Sequence, residues 1–365
     1  MKYDYLIVGS GLFGCVFANL AKQHNKRCLI LEKREHAFGN CYTELKNDIH
    51  IHKYGPHIFH TNNNLIWDYV KQFSNFNNFI YKPKVSYQQK LFSFPINLMT
   101  LHQLWGVRTP NEAILKINQE KYNLRNPQNL EEWALSQVGE EIYYKFIYGY
   151  TKKQWNTDPK NLPASIIKRL PIRFYFDENY YFDKYQGIPI DGYSKLLARM
   201  IDGIEVVLGT DYFKKQDYWD KKCKYIVYTG SLDKFFNYEY GELDYRSLQF
   251  KSEEYNIKDY QGNAAINYTE ERIPYTRIIE HKHFHFNDND KTIITKEYPA
   301  NFKDTQEPYY PINNKKNDFI YNNYKKLLNY ENKSIFGGRL AEYRYYNMDQ
   351  IIASAMSKFN KVSNM

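Results

Sequence analysis

Residues Tyr3 to Val8 form a short, nearly unbroken apolar run, followed at once by a glycine-rich segment. Apolar positions then recur at helical spacing through Leu12, Cys15, Val16, Leu20 and Ala21, and a second apolar run covers Arg27 to Glu32. This pattern predicts a strand, a tight turn, a helix and a parallel strand. From about Thr109 the period becomes helical, with Thr109 as N-cap, Pro110 at the first helical position and Glu112 placed to close a capping box. A second helix start at Asn129 with Glu132 runs to Gly139, which separates it from a continuation through Ile142, Phe146 and Ile147. Between Tyr245 and Tyr298 the chain alternates in short runs, Tyr245 to Phe250, Thr276 to Phe286 and Lys291 to Tyr298, as antiparallel strands do. Ser334 to Phe336 then leads through Gly337, Gly338 and Arg339 to a helix from about Met348 to Phe359.

These segments predict an α/β fold. A Rossmann-like nucleotide-binding domain is assembled from both chain ends, 1–80 with about 185–240 and 311–365. A helical domain, about 98–160, and an antiparallel β-sheet domain, about 81–97, 161–184 and 241–310, are inserted into it.

Composition narrows the function. With 365 residues, 43% of them hydrophobic, the chain can bury a substantial core. Thirty-seven tyrosines exceed what packing needs, so some are available to line a site for a flat or sugar-like ligand. The net charge of +9 suits an anionic partner. No dense Lys/Arg run or nucleic-acid motif accompanies it, which argues against nucleic acid and leaves small polyphosphates. Cys15, Cys28, Cys41 and Cys223 have neither CxxC nor zinc spacing, so reduced thiols in a cytosolic protein are expected. The stretch Leu12-Phe13-Gly14-Cys15 is not a lipoprotein cleavage box, because Asp4 and two glycines interrupt the apolar run before it. No segment reaches the roughly 20 apolar residues that span a bilayer, so no stable membrane insertion is expected.

The sharpest motif is Gly9-Ser10-Gly11-Leu12-Phe13-Gly14, set between strand and helix, with Glu32 ending the next strand 18 positions beyond Gly14. The first glycine permits the tight turn, the second lets backbone approach a pyrophosphate, and the third lets helix and sheet pack closely. The free N–H groups of the helix start then face the anion, and the acid accepts from ribose hydroxyls. Three further features favour FAD over NAD. Glu32-Lys33-Arg34 runs on to a second glycine turn, Phe38-Gly39-Asn40-Cys41. A strand from Tyr225 to Tyr228 ends in Thr229-Gly230, and the helix beginning near Asn347 and Met348 can aim its positive end at an isoalloxazine. Each alone reads equally as an ordinary turn or cap.

The passages Tyr54-Gly55-Pro56-His57-Ile58-Phe59-His60-Thr61 and Gly149-Tyr150-Thr151-Lys152-Lys153-Gln154-Trp155 carry a closer likeness. With them go Lys168-Arg169-Leu170-Pro171, Tyr185-Gln186-Gly187-Ile188-Pro189, Tyr275 to Phe284, Glu307-Pro308-Tyr309-Tyr310-Pro311 and Phe336-Gly337-Gly338-Arg339-Leu340. In these passages the chain resembles the bacterial UDP-galactopyranose mutases, essentially end to end. The resemblance implies an FAD-dependent isomerase, active with reduced flavin, that interconverts UDP-galactopyranose and UDP-galactofuranose through a flavin N5–sugar adduct for surface polysaccharide. It also implies a homodimer in the bacterial cytoplasm and an external reductant such as NAD(P)H.

The resemblance assigns residues as well. Arg169 and Arg277 match the two phosphate-binding arginines, Arg169 on a mobile lid near 165–175. Tyr150 is placed against uracil; Tyr180, Tyr310 and Tyr345 surround the diphosphate; Phe146, Thr151, Trp155 and Asn267 match further nucleotide or sugar positions. His57 is directed to the flavin and His60 to galactose. The cofactor set comprises Gly9, Gly11, Leu12, Phe13, Gly14, Glu32, Lys33, Gly39, Asn40, His57, Thr229, Arg339, Asn347 and Met348. Arginine forks suit a departing diphosphate better than lysine does.

Three positions depart from the family pattern. Phe38 and Asn156 stand where glycine is usual, and Asn347 where an acid is common. His281, His283 and His285 would share one face of a strand, but such neighbours rarely converge on one ion and no metal site is expected. Alternative functions are a mutase preferring UDP-N-acetylgalactosamine, an FAD-dependent amine-oxidase-like oxidoreductase, and a non-catalytic nucleotide-sugar binder.

Overall fold

A computed structural model describes residues 2–168, 171–305 and 307–363. Its strands, in chain order, are β1 (Tyr3–Val8), β2 (Cys28–Leu31), β3 (Thr43–Lys46), β4 (Ile49–His52), β5 (Phe59–Thr61), β6 (Lys84–Tyr87), β7 (Lys90–Ser93) and β8 (Tyr185–Gly187). They continue with β9 (Glu205–Val207), β10 (Cys223–Tyr228), β11 (Tyr245–Tyr255), β12 (Ala265–Tyr268), β13 (Arg277–Glu280), β14 (Thr292–Asn301), β15 (Tyr310–Pro311) and β16 (Ser334–Phe336).

One sheet is parallel throughout, in the order β16-β10-β1-β2-β9. Its β1 residues Leu6 and Ile7 are buried on both faces, which explains an apolar run rather than an alternating one. The first helix, α1 (Leu12–Gln23), covers one face and meets the final helix, Met348–Ser363, where Phe17 and Phe359 pack edge to face at 5.4 Å. The two chain ends thus share one core.

The second sheet has seven strands, β15-β11-β14-β13-β12-β6-β7, antiparallel except where β12 runs parallel to β6. Helix α2 (Asn64–Lys71) lies between β5 and β6, and α3 (Leu98–Trp105), α4 (Pro110–Glu120), α5 (Leu130–Ile142) and α6 (Gly149–Trp155) lie between β7 and β8. A π-helical stretch, Tyr143–Tyr148, joins α5 to α6. All four cysteines are free and buried.

Local chemistry accounts for most boundaries. Thr109 accepts the Glu112 N–H, as expected of an N-cap, but the Glu112 carboxylate reaches the N–H of Arg108 rather than that of Thr109, so the box closes one residue early. Gly139 breaks the helical path at φ 76°, ψ −179°, and a Cβ there would lie 2.4 Å from the Glu120 carbonyl oxygen. Only glycine fits that turn.

The expected strand from Thr276 to Phe286 is corrected. It ends at Glu280, and His281–His285 forms a 3-10 turn. At its end the buried Glu280 carboxylate accepts the N–H groups of Tyr260 and Gln261 and the Thr292 hydroxyl. The three histidines therefore diverge. His281 bonds Thr295, His283 lies 2.8 Å from Asp259 and 3.3 Å from Glu280, and His285 reaches the Pro189 carbonyl.

Candidate active site

The glycine turn after β1 has the shape its sequence demands. Gly9 adopts φ +106°, and a Cβ on it would lie 2.1 Å from Thr229 Oγ1 at the end of β10. A Cβ on Gly14 would lie 2.2 Å from the Gly9 carbonyl oxygen and 3.1 Å from Ile7, so this glycine permits the close approach of α1 to the sheet. Gly11 differs, for a Cβ there meets nothing within 4 Å. It is also the N-cap of α1 and supplies no side-chain cap. An uncapped helix start facing open space is what a pyrophosphate requires, so this end of the molecule fits a dinucleotide.

Glu32 is buried and builds the turn from behind. Its Oε2 accepts the Ser10 N–H at 3.0 Å and the Ser10 hydroxyl at 2.7 Å, and its Oε1 accepts the Arg34 N–H at 3.0 Å. A carboxylate has about four acceptor directions, so Oε1 keeps capacity for a ribose hydroxyl. The Ser10 hydroxyl in turn accepts the Phe38 N–H at 3.0 Å, drawing the second glycine turn over the first. A Gly39 Cβ would lie 3.0 Å from the Gly11 Cα. Lys33 pairs with Glu307 at 3.0 Å, while Arg34 spans Glu307 at 2.8 Å and Asn40 at 3.1 Å. Burial would raise the Glu307 carboxyl, but Arg34 and Lys33 hold it below its ordinary value.

The last helix closes on the same region. Met348 lines a cavity of about 10 Å³ with Leu12, Cys41 and Tyr193. A Cβ on Gly337 would lie 2.0 Å from the Phe13 ring, so the β16 turn packs directly on α1. Arg339 donates to the Tyr346 carbonyl and lies 4.6 Å from the Tyr345 ring centre. The Asn347 N–H bonds the Gln350 side chain at 3.0 Å. His57 bonds the Gly55 carbonyl at 2.9 Å; burial, and then the charge of Arg339, bring its pKa down to about 4. It is a neutral imidazole near pH 7.

Arg277 centres the second half of the site. On β13 it faces Asn267 of β12, and its Nε donates to Asn267 Oδ1 at 3.2 Å. Its Nη2 donates to the Tyr150 hydroxyl at 3.1 Å. Burial opposes the charge on Arg277, but Glu297, its partner on β14, together with Tyr150 and Tyr81, more than offsets this and raises its pKa. The guanidinium is therefore a fixed cation. Tyrosines surround it. Tyr310 stacks on Tyr345 at 5.7 Å, and Tyr180 lies 5.4 Å from Tyr81 and 4.9 Å from Tyr181. Burial raises the pKa of Tyr81, Tyr181 and Tyr310, so these hydroxyls keep their protons and can donate.

The remaining expected residues take varied places. Thr151 is buried next to Tyr150. Phe146 packs edge-on against Phe92 at 5.2 Å, and Trp155 packs against the same helical core. His60 Nδ1 is 2.5 Å from Asp183, with its ring stacked 3.7 Å from Tyr181. Arg169, and with it part of the expected lid near 165–175, lies outside the described residues.

Sequence reading passed over Tyr81, Tyr181, Asp183 and Glu297. Tyr181 and Asp183 adjoin the motif residue Tyr180 and could have been included on that ground. Tyr81 and Glu297 carry no local signal, because only strand pairing and loop packing bring them to Arg277.

Comparison with known proteins shows a family and a fold. The profile described as UDP-galactopyranose mutase matches residues 145–345, and that of an NAD(P)-binding Rossmann-like domain matches residues 7–73. A dTDP-fucopyranose mutase of Escherichia coli is 38% identical over 361 residues, covering 96% of each chain. A probable UDP-galactopyranose mutase of Klebsiella pneumoniae is 38% identical over 362 residues, 97% of this chain and 93% of the relative. Among solved structures, a reduced UDP-galactopyranose mutase superposes with TM-score 0.75 at 13% identity, covering 100% of this chain and 94% of the other, a likeness of fold. A redesigned putrescine oxidase shares the fold at TM-score 0.61 and 11% identity, over 100% of both chains. Among the described residues no helix is long and apolar enough to cross a membrane. With a family profile over more than half its length and relatives matched almost end to end, the chain belongs to the UDP-galactopyranose mutase family.

Proposed function

We propose that the protein interconverts the pyranose and furanose forms of a nucleoside-diphosphate galactose, UDP-galactose first, with FAD in its reduced form. The observation that carries this reading is the half-buried Arg277, held cationic and bonded to Tyr150 and Asn267 amid tyrosine hydroxyls. That donor set suits a diphosphate leaving group, whose charge grows as the sugar–phosphate bond breaks.

The turn Gly9 to Gly14, Glu32, Lys33, Gly39, Asn40 and Thr229 would hold the dinucleotide part of FAD, and His57, Arg339, Asn347 and Met348 its ring system. When bound and reduced, the flavin supplies a nucleophilic nitrogen for the anomeric carbon. The protein's own residues do the rest. Arg277 bears the diphosphate charge, with Arg169 proposed as its second cation. Tyr310 and Tyr345 donate to phosphate oxygens while their rings exclude water, and Tyr180 acts with them. Tyr150 lies against the base, with Phe146, Thr151, Trp155 and Asn267 completing the nucleotide and sugar walls. His60, fixed by Asp183, faces the sugar. The N-terminus of the last helix favours negative charge on the reduced ring.

The E. coli relative favours a second reading, in which the substrate is dTDP-fucopyranose. We further propose three domains with the boundaries expected from sequence, a homodimer in the bacterial cytoplasm, a reductant such as NAD(P)H, and a product used for surface polysaccharide.

The test is to incubate dithionite-reduced, FAD-loaded protein separately with UDP-galactofuranose and dTDP-fucofuranose and to resolve the products by anion-exchange chromatography. Conversion of the first to UDP-galactopyranose, absent with oxidised flavin, is expected. Conversion of the second alone would move the assignment to the deoxy sugar, and conversion of neither would overturn the mutase reading.

A further inference from the structure

Tyr150 and Arg277 come from different parts of the molecule, one from α6 and the other from β13, and what holds these parts in register decides the geometry of their contact. The seam between α6 and the β12–β13 connection is tied at several points. Thr269 Oγ1 donates to the Lys145 carbonyl at 2.5 Å. Gly149 comes so close that a Cβ on it would lie 2.2 Å from the Thr269 carbonyl oxygen. Lys152 pairs with Glu271 at 2.8 Å, but both side chains are about half exposed, and such a pair contributes little.

Lys153 is different. Its Nζ donates to the carbonyls of Tyr268 at 2.8 Å, Ile273 at 3.0 Å and Tyr275 at 3.0 Å. An ammonium has three protons, and all three are used. The acceptors are distributed along the connection: Tyr268 follows Asn267, Ile273 sits within the turn, and Tyr275 lies two residues before Arg277. On the helix, Lys153 stands one turn after Tyr150, on a neighbouring face. One cation therefore gathers both ends and the middle of the connection that carries Asn267 and Arg277 and fastens it to the helix that carries Tyr150.

We propose that Lys153 is a positioning residue whose ammonium clips the β12–β13 connection to α6 and so sets Arg277 against Tyr150. This rests on reading the Arg277–Tyr150 pair as the nucleotide-diphosphate grip. A neutral side chain at 153 leaves three carbonyls without their shared donor, so the connection relaxes and the guanidinium loses its alignment. Four native cysteines are buried, which makes chemical replacement of the ammonium practicable.

The experiment uses FAD-loaded protein and measures the Kd for UDP and for dTDP by equilibrium dialysis, with melting temperature and flavin content recorded alongside. K153M is expected to weaken binding of the preferred nucleotide about tenfold with flavin content unchanged. K153C is expected to show the same loss, and alkylation with 2-bromoethylamine, verified at that site by mass spectrometry, to bring the Kd back within about threefold. K152A should bind as the wild type does. Three results would overturn the inference: K153M binding like the wild type, a lowered melting temperature with unchanged Kd, or a loss that the restored ammonium fails to correct. If the wild type bound neither nucleotide, the reading of the grip would fail and the inference with it, whereas wild-type binding with an unaffected K153M would sink the inference alone.

Discussion

Arg277 Nη2 and the Tyr150 hydroxyl meet at 3.1 Å across the seam between a helix and a sheet separated by 127 residues of chain. Neither residue alone defines a site; together they fix a cation and a neighbouring aromatic face. Glu297 behind Arg277 keeps the charge without competing for Tyr150.

Arg277→Ala should therefore lower kcat/KM by about a thousandfold or more while flavin stays bound, and Arg277→Lys should recover only a small part, because a point charge cannot bridge phosphate oxygens as a fork does. Tyr150→Phe should cost roughly tenfold. Steady-state kinetics with flavin content per chain checks all three, and near-normal activity in Arg277→Ala would remove the phosphate role.

Gly9 and Gly11 should respond differently to the same substitution. Gly9→Ala meets Thr229 Oγ1 at 2.1 Å in a left-handed conformation, so it should lower both melting temperature and flavin content. Gly11→Ala meets nothing in the protein and should leave the apoprotein's melting temperature unchanged while reducing flavin retention, because its methyl enters space meant for the cofactor. Equal flavin content in Gly11→Ala and wild type would argue against the pyrophosphate lying there.

Gly139→Ala combines φ +76° with a contact 2.4 Å from the Glu120 carbonyl oxygen. Denaturant unfolding should register a loss of about 2–4 kcal/mol, the scale of a backbone outlier plus a forced displacement. An unchanged midpoint would mean that α4 and α5 are not packed as described.

Histidine burial sets the acid side of stability. Burial brings the pKa of His281 down to about 3, Lys53 adding to the effect and Glu280 opposing it, and that of His52 well below its usual 6.5, with neighbouring histidines adding to the effect. Both have folded values below the unfolded one, so the unfolded chain binds more protons in the window between them. Their stabilisation is complete above about pH 6.5 and is lost as pH falls toward the folded values. Urea midpoints should drop steadily from pH 6.5 to pH 4, and replacing His281 by Asn should flatten that slope; a slope unchanged in His281→Asn would assign the acid sensitivity elsewhere.

Much of this protein can be read one residue at a time. The glycine fingerprint, the acid at Glu32 and the two helix starts at Thr109 and Asn129 depend on local sterics and hydrogen bonding, which need no knowledge of the remainder of the chain. The departures from the family pattern are local too. Phe38 takes φ 80° and Asn156 φ 50°, both in the left-handed region where a glycine would be unstrained.

Other features depend on distant partners. The strand that begins at Arg277 ends at Glu280, whose carboxylate is held by Tyr260, Gln261 and Thr292, and alternation in sequence carries no information about those donors. Tyr81 and Glu297 reach Arg277, Asp183 reaches His60, and Lys153 reaches three carbonyls, each across long stretches of chain. Short-range periodicity dictates which segments become strands, turns and helices, because that choice follows from each segment's own backbone and apolar spacing. Which side chains converge on Arg277 was decided only by packing, because strand register and contacts between distant elements bring together groups that the linear order keeps apart.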